Sequence, residues 1–289
     1  MREQKEKKQL MKGYLILAGL VLSLAVFLFF SVMLIRTLHA YRVDRDKYRA
    51  IAEQYALAVS AGEQGVDPDP GLSSEPGAVS VQQSAAYSED DPETVTLPFR
   101  IDWESIMKDN PDTVGWLYSE GTPIHYPVVQ GSDNEYYLTH DFGRKKSAAG
   151  ALFLDARNEL YSEVDHLMIY GHRMKDDSML GSAADYAKEQ YYRQHPYLYF
   201  LTPEQSWRAE IIGCRTVHAD EKYFPVLFGD EEAYAAYLRK IRSQRYYETD
   251  AEPDTSFRLL TLVTCSTYTR GGDVRLLVHA RLVPVKIAS

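Results

Sequence analysis

Cysteine is nearly absent. The 289 residues hold only Cys214 and Cys265, too few for a disulfide framework and without the paired Cys or His at short spacing that a zinc site needs. No stripe of Lys and Arg runs along any segment, which excludes an electrostatic footprint for nucleic acid. Basic residues are missing altogether from Ser60 to Pro98, where eight acidic side chains stand. That segment carries most of the formal charge of −9. The 191 residues after it are again mildly acidic, which argues against a polyanionic partner.

Charge is also absent from Gly13 to Ile35, 23 residues rich in Leu, Val, Ile and Phe. A helix of that length crosses a bilayer. A cleaved signal peptide would have a shorter apolar core and a small-x-small site, whereas this run ends in Met33, Leu34, Ile35 and Arg36. Residues 13–35 are therefore expected to form an uncleaved transmembrane signal anchor, with 1–12 on the cytoplasmic side. Flanking charge does not give the orientation: Arg2, Lys5, Lys7, Lys8 and Lys12 are matched by Arg36, Arg42, Arg45, Lys47 and Arg49.

Past the anchor, Tyr41, Tyr48, Ile51, Tyr55 and Ala58 recur at helical spacing, so 36–61 is expected as a helical stalk. Residues 62–98 have the Pro, Gly, Ser and acidic bias of a disordered linker. From Phe99 onward the composition turns globular, and 99–289 reads as one domain. Apolar, β-branched and aromatic runs predict strands at Thr122–Val129, Ala151–Asp155, His166–Tyr170, Tyr197–Leu201, Trp207–Val217, Phe257–Thr264 and Val274–Val283. Helical patterns fall at Ile101–Lys108, Asp133–His140, Met179–Gln194 and Asp230–Gln244. The fold class is mainly β with added helices, a barrel or a sandwich. A barrel leaves no exposed edges.

Three residues stand out for chemistry. Cys265 lies where the strand-like Leu259–Thr264 runs out into Ser266-Thr267-Tyr268-Thr269-Arg270-Gly271-Gly272. A free thiol is only a few per cent ionised near neutrality, so a nucleophilic Cys needs a base or cation beside it. His172 follows a strand that ends in Tyr170-Gly171, and Arg275 opens a strand that pairs back on the first after a Gly-Gly turn. Cys214, inside an apolar run, reads as a small core residue. Taken singly, each of the three chemical candidates has an ordinary structural explanation.

Together they resemble a known signature. Thr261-Leu262-Val263-Thr264-Cys265, Arg275 ten positions on and Tyr170-Gly171-His172 upstream are similar to the motifs of sortases. Gly115-Trp116, Tyr126-Pro127-Val128-Val129-Gln130, Asp133-Asn134, Tyr136-Tyr137-Leu138 and His172-Arg173-Met174 resemble class B in particular, in order along nearly all of Phe99–Ser289. The resemblance implies an eight-stranded sortase-type β-barrel with a helix-bearing insert between strands six and seven at about His218–Ser256. It implies a domain outside a Gram-positive cell, held by the membrane helix.

It further implies a transpeptidase that cleaves a C-terminal sorting signal after Thr and passes the acyl group to an envelope amine, a peptidoglycan precursor or a pilin Lys. In that scheme Cys265 is the nucleophile, His172 the proton donor to the leaving amine, and Arg275 the group that holds the substrate or the oxyanion. Asn134, Leu138, Tyr223 and Thr264 are expected at the sorting-signal groove. No metal or cofactor is called for. A secreted cysteine peptidase acting as a hydrolase is one alternative, although the papain-like order places Cys before His and here His172 comes first. A non-enzymatic envelope scaffold is the other.

Overall fold

A computed structural model describes residues 2–59, 92–161, 166–218, 224–266 and 274–288. The chain divides into two compact units, Met1–Lys47 and Tyr48–Ser289. The first is helical throughout its described length, belonging to α1 (Arg2–Tyr55). It contains a stretch long and apolar enough to cross a membrane. Its Leu, Val, Ile and Phe side chains are exposed, the pattern expected where the surrounding medium is itself apolar.

In the second unit, the end of α1 is held by the barrel that follows. Tyr48, Ile51 and Tyr55 are buried, and the Tyr48 hydroxyl donates to the Gly150 carbonyl and accepts from the Phe142 amide. The Tyr55 hydroxyl donates to Asp109. The expected stalk over 36–61 thus ends as a helix at Tyr55. Beyond it, β1 (Ala56–Ala58) pairs antiparallel with β3 (Phe99–Ile101). β2 (Thr94–Val95), inside the expected linker, pairs with the last strand of the chain. Pairing satisfies backbone donors and acceptors that a composition-based reading leaves to solvent. Residues 60–61 of the expected stalk and 62–91 of the expected linker lie outside the described residues.

The rest of the chain runs α2 (Trp103–Asp109), β4 (Thr113–Tyr118), β5 (His125–Val129), α3 (Tyr136–Thr139), β6 (Leu152–Leu154), β7 (His166–His172), α4 (Glu189–Gln194), β8 (Tyr197–Leu201), β9 (Ser206–His218), α5 (Glu231–Gln244), β10 (Arg258–Ser266) and β11 (Val274–Ile287). The sheet order β10-β7-β6-β5-β4-β8-β9-β11 closes on itself through β10–β11 pairing. The result is an eight-stranded β-barrel, as the resemblance implies, with α5 in the connection between the sixth and seventh barrel strands. Its centre is filled by Leu117, Val128, Leu152, Leu154 and Phe200, all at most 1% exposed. Each contributes roughly 1.5–3 kcal/mol by leaving water.

Several boundaries differ from the sequence patterns. β4 is not among the expected strands because Gly115 interrupts its pattern. A Cβ at Gly115 would stand 2.5 Å from the Phe200 ring, and the ladder bulges there. The expected helix Met179–Gln194 is a 3-10 turn over Ser182–Ala187 followed by α4. Met179 itself takes φ 55°, outside the helical region.

Candidate active site

β10 lies between β7, which runs parallel to it, and β11, which runs antiparallel. In this register Cys265 pairs with His172 on one side and with Arg275 on the other. Neighbouring strands stand about 5 Å apart, so the three residues occupy one row on one face of the barrel wall. Arg275 follows Cys265 by ten residues on the next strand, whereas His172 is remote from both in sequence. Only the parallel β7–β10 pairing brings the residue at 172 beside the one at 265.

The same wall explains the residues around His172. Alternation along β7 places Tyr170 and His172 on the outer face and Gly171 on the inner one. A Cβ at Gly171 would stand 2.3 Å from Leu152 Cδ2 and 2.9 Å from Leu180 Cγ, so only glycine fits there. His172 is half-buried, and its Nε2 lies 2.6 Å from the Leu138 carbonyl oxygen. A carbonyl only accepts, so Nε2 carries the proton. Leu138 belongs to α3, whose first turn is tied by Asp133 accepting the amides of Glu135 and Tyr136, both at 2.8 Å. Tyr137 anchors the helix from below, buried and donating to Asp112 at 2.6 Å.

A second cluster adjoins the row. The Tyr170 hydroxyl donates to Asp155 at 3.0 Å, and Arg157 grips the same carboxylate through Nε and Nη2 at 2.9 and 2.8 Å. Asn134 Oδ1 accepts the Ala156 amide at 2.7 Å, which fixes this turn against α3. Burial pushes the Asp155 carboxyl up, but the hydrogen bonds from Arg157, with those of Asn134 and Tyr170, hold it below its ordinary value. Burial and then the Asp155 charge raise the Tyr170 phenol, while Arg275 acts on it in the opposite direction. Arg275 therefore lies within electrostatic reach of Tyr170.

Of the expected groove residues, Asn134 and Leu138 are placed at this site, Leu138 through its main chain. Thr264 is not part of the row: its side chain is fully buried and its hydroxyl donates to the Leu276 carbonyl at 3.4 Å, on the opposite face of β10 from Val263 and Cys265. Period-two alternation forces this, since adjacent strand residues face opposite ways. Tyr223 lies outside the described residues. Sequence reasoning missed Asp155 and Arg157, which stand in an unremarkable Asp-Ala-Arg with no motif to mark them. Among the described residues, no group of three His, Cys, Asp or Glu is placed to hold a metal ion.

A thiol-bearing position between an imidazole and a guanidinium is suited to acyl transfer: a nucleophile, a proton donor and a fork of N–H groups for a developing oxyanion. No protein-family model matches the sequence. Two curated proteins are similar over most of their own lengths. Sortase B of Listeria monocytogenes is 32% identical over 200 residues, 69% of this chain and 81% of that protein. Sortase B of Staphylococcus aureus is 29% identical over 186 residues, 64% of this chain and 76% of that protein. A solved complex of the Staphylococcus aureus sortase B with substrate superposes with a TM-score of 0.60 at 29% identity, covering 64% of this chain and 85% of that one.

Proposed function

Because the chain belongs to the sortase B family and is a cysteine transpeptidase, we propose that Cys265, His172 and Arg275 carry its reaction on C-terminal sorting signals. The observation that carries this reading is the register that sets Cys265 between the other two on adjacent strands. In the proposed cycle the Cys265 thiolate attacks the carbonyl carbon of the signal's Thr. The C–N bond breaks, His172 gives a proton to the departing amine, and an acyl thioester forms on Cys265. An amine of the cell envelope, on a peptidoglycan precursor or a pilin Lys, then attacks the thioester. A new amide forms and the thiol is released.

The physical chemistry favours this division of labour. A thiol left alone ionises only slightly at neutral pH, and an adjacent imidazolium and guanidinium favour the thiolate. Arg275 has the planar fork that suits a peptide carbonyl as charge builds on its oxygen. A thioester keeps much of the free energy of the cleaved amide, so ligation proceeds without ATP. The Leu138 main chain, beside His172, and Asn134, at the Asp155–Arg157 turn, form one side of the proposed groove. Tyr223 is proposed as a further groove residue, and Thr264 acts only through its backbone. Residues 13–35 are the proposed membrane anchor, with the barrel on the outer side of a Gram-positive membrane.

The test uses the full chain in detergent micelles, a panel of peptides with candidate sorting signals, and mass spectrometry of products with and without an amine acceptor. Cleavage on the carboxyl side of Thr, a covalent acyl adduct on Cys265 and amine-dependent ligation are expected. Cys265→Ala should lose all three. Cleavage by that variant at the wild-type rate would overturn the assignment. Hydrolysis unaffected by any amine would make the enzyme a peptidase.

A further inference from the structure

Beneath the same face of the barrel wall lies a chain of buried polar groups that the catalytic scheme does not use. Arg215 on β9, His279 on β11, Thr261 on β10 and His166 on β7 are each at most 1% exposed. Arg215 Nε is 3.1 Å from His279 Nε2, and His279 Nδ1 is 2.8 Å from Thr261 Oγ1. The same hydroxyl is 2.7 Å from His166 Nε2, and His166 Nδ1 is 2.7 Å from the Pro225 carbonyl oxygen. At the far end, Arg215 Nη1 donates to Gln244 Oε1 at 2.9 Å. Pro225 and Gln244 both belong to the connection between β9 and β10, so the chain begins and ends in that insert and crosses four strands between.

Its direction is fixed by its ends. Arginine only donates, so His279 Nε2 accepts and its single proton sits on Nδ1. A carbonyl only accepts, so His166 carries its proton on Nδ1 and accepts at Nε2. Thr261 must therefore accept from His279 and donate to His166, a role for which a hydroxyl is suited and a methyl is not. Both imidazoles are neutral in this arrangement. Burial holds them so, reinforced at each ring by Arg215. The other charged groups that bear on His166 are Asp155 and Arg157, and the rings of Phe228 and Tyr237 close over the pair from the insert.

The chain lies one step from the proposed chemistry. Thr261, Val263 and Cys265 follow one another on one face of β10. Phe224 and Val226, on either side of Pro225, join Val263, Met168, Leu277 and Tyr170 in an apolar cluster between the polar chain and the catalytic row. The Phe224 carbonyl accepts from Arg157 at 3.3 Å, so residues 224 and 225 are both gripped at their main-chain oxygens.

We propose that Thr261, acting through His166 and His279, is a positioning residue that sets the β9–β10 insert over the face bearing Cys265, and so governs sorting-signal binding rather than the chemical step. This rests on the transpeptidase reading above. Thr261→Val keeps the shape of the side chain but leaves His279 Nδ1–H and His166 Nε2 without partners, an arrangement the insert relieves by shifting. In full-chain enzyme, KM for the sorting peptide should rise about tenfold or more while kcat stays within about threefold of wild type, and Thr261→Ser should restore KM. Amide hydrogen exchange should quicken over 224–244 and stay slow in β10 and β11. An unchanged KM with unchanged exchange would overturn the proposal, as would a fall in kcat alone. If Thr261→Val does not fold, Gln244→Leu, which alters only the far end, is expected to raise KM and exchange in the same sense, and failure to do so overturns it. If wild type cleaves no sorting peptide, the transpeptidase reading fails, and the exchange comparison still decides whether Thr261 holds the insert.

Discussion

At the scale of single residues, the site depends on which side chain is absent as much as on which is present. Gly171 is the clearest case, since any Cβ there would overlap Leu152 and crowd Leu180. Gly171→Ala should force the β7 end outward, costing about 1–3 kcal/mol, read as a lower denaturation midpoint. It should also reduce turnover, because His172 follows directly and is held by Leu138 at 2.6 Å. Wild-type midpoint and turnover would show that the wall yields there. The sequence pattern marked His172 and Cys265, but the fully buried Thr264 shows its limit. The signature includes this residue for its place in the strand, while alternation turns its hydroxyl away from the row.

At the scale of elements, the insert is the part most exposed to change. α5 is started by Asp230, whose carboxylate accepts the Ala233 amide at 2.8 Å. It is fixed to the wall by Tyr234, Leu238 and Ile241 packing with Ile212 and Leu259. Asp230→Ala removes one capping bond from an exposed site and should cost about 1 kcal/mol, seen as a lower midpoint in thermal or chemical unfolding. An unchanged midpoint would mean that packing alone holds the first turn. The periodic pattern over Asp230–Gln244 gave this helix correctly because its apolar stripe recurs at helical spacing. It failed over Met179–Gln194, where Met179 has positive φ and the chain closes in a 3-10 turn. Such backbone departures leave no periodic trace.

At the scale of the whole molecule, three imidazoles are held without charge, His166 and His279 fully buried and His125 half-buried. Burial holds His125 and His166 down at about 4 and keeps His279 well below its ordinary 6.5. In the unfolded chain all three bind protons near pH 6.5, so acid favours unfolding. Their contribution is complete above about pH 6.5 and is lost as pH falls toward 4, on the order of 3 kcal/mol for His166 alone. The barrel's melting temperature should therefore decline steeply between pH 6.5 and 4. A flat profile there would show that the imidazoles are not buried neutral. Hydrophobic period and residue type are local properties, and they were enough to give the apolar helix and most barrel strands and to mark Cys265, His172 and Arg275 as chemical candidates. Only the tertiary structure brought β7 parallel beside β10 and gathered Asp155, Arg157 and the Arg215–His279–Thr261–His166 chain on the same wall. Those outcomes depend on register between strands far apart in sequence, and no local pattern encodes register.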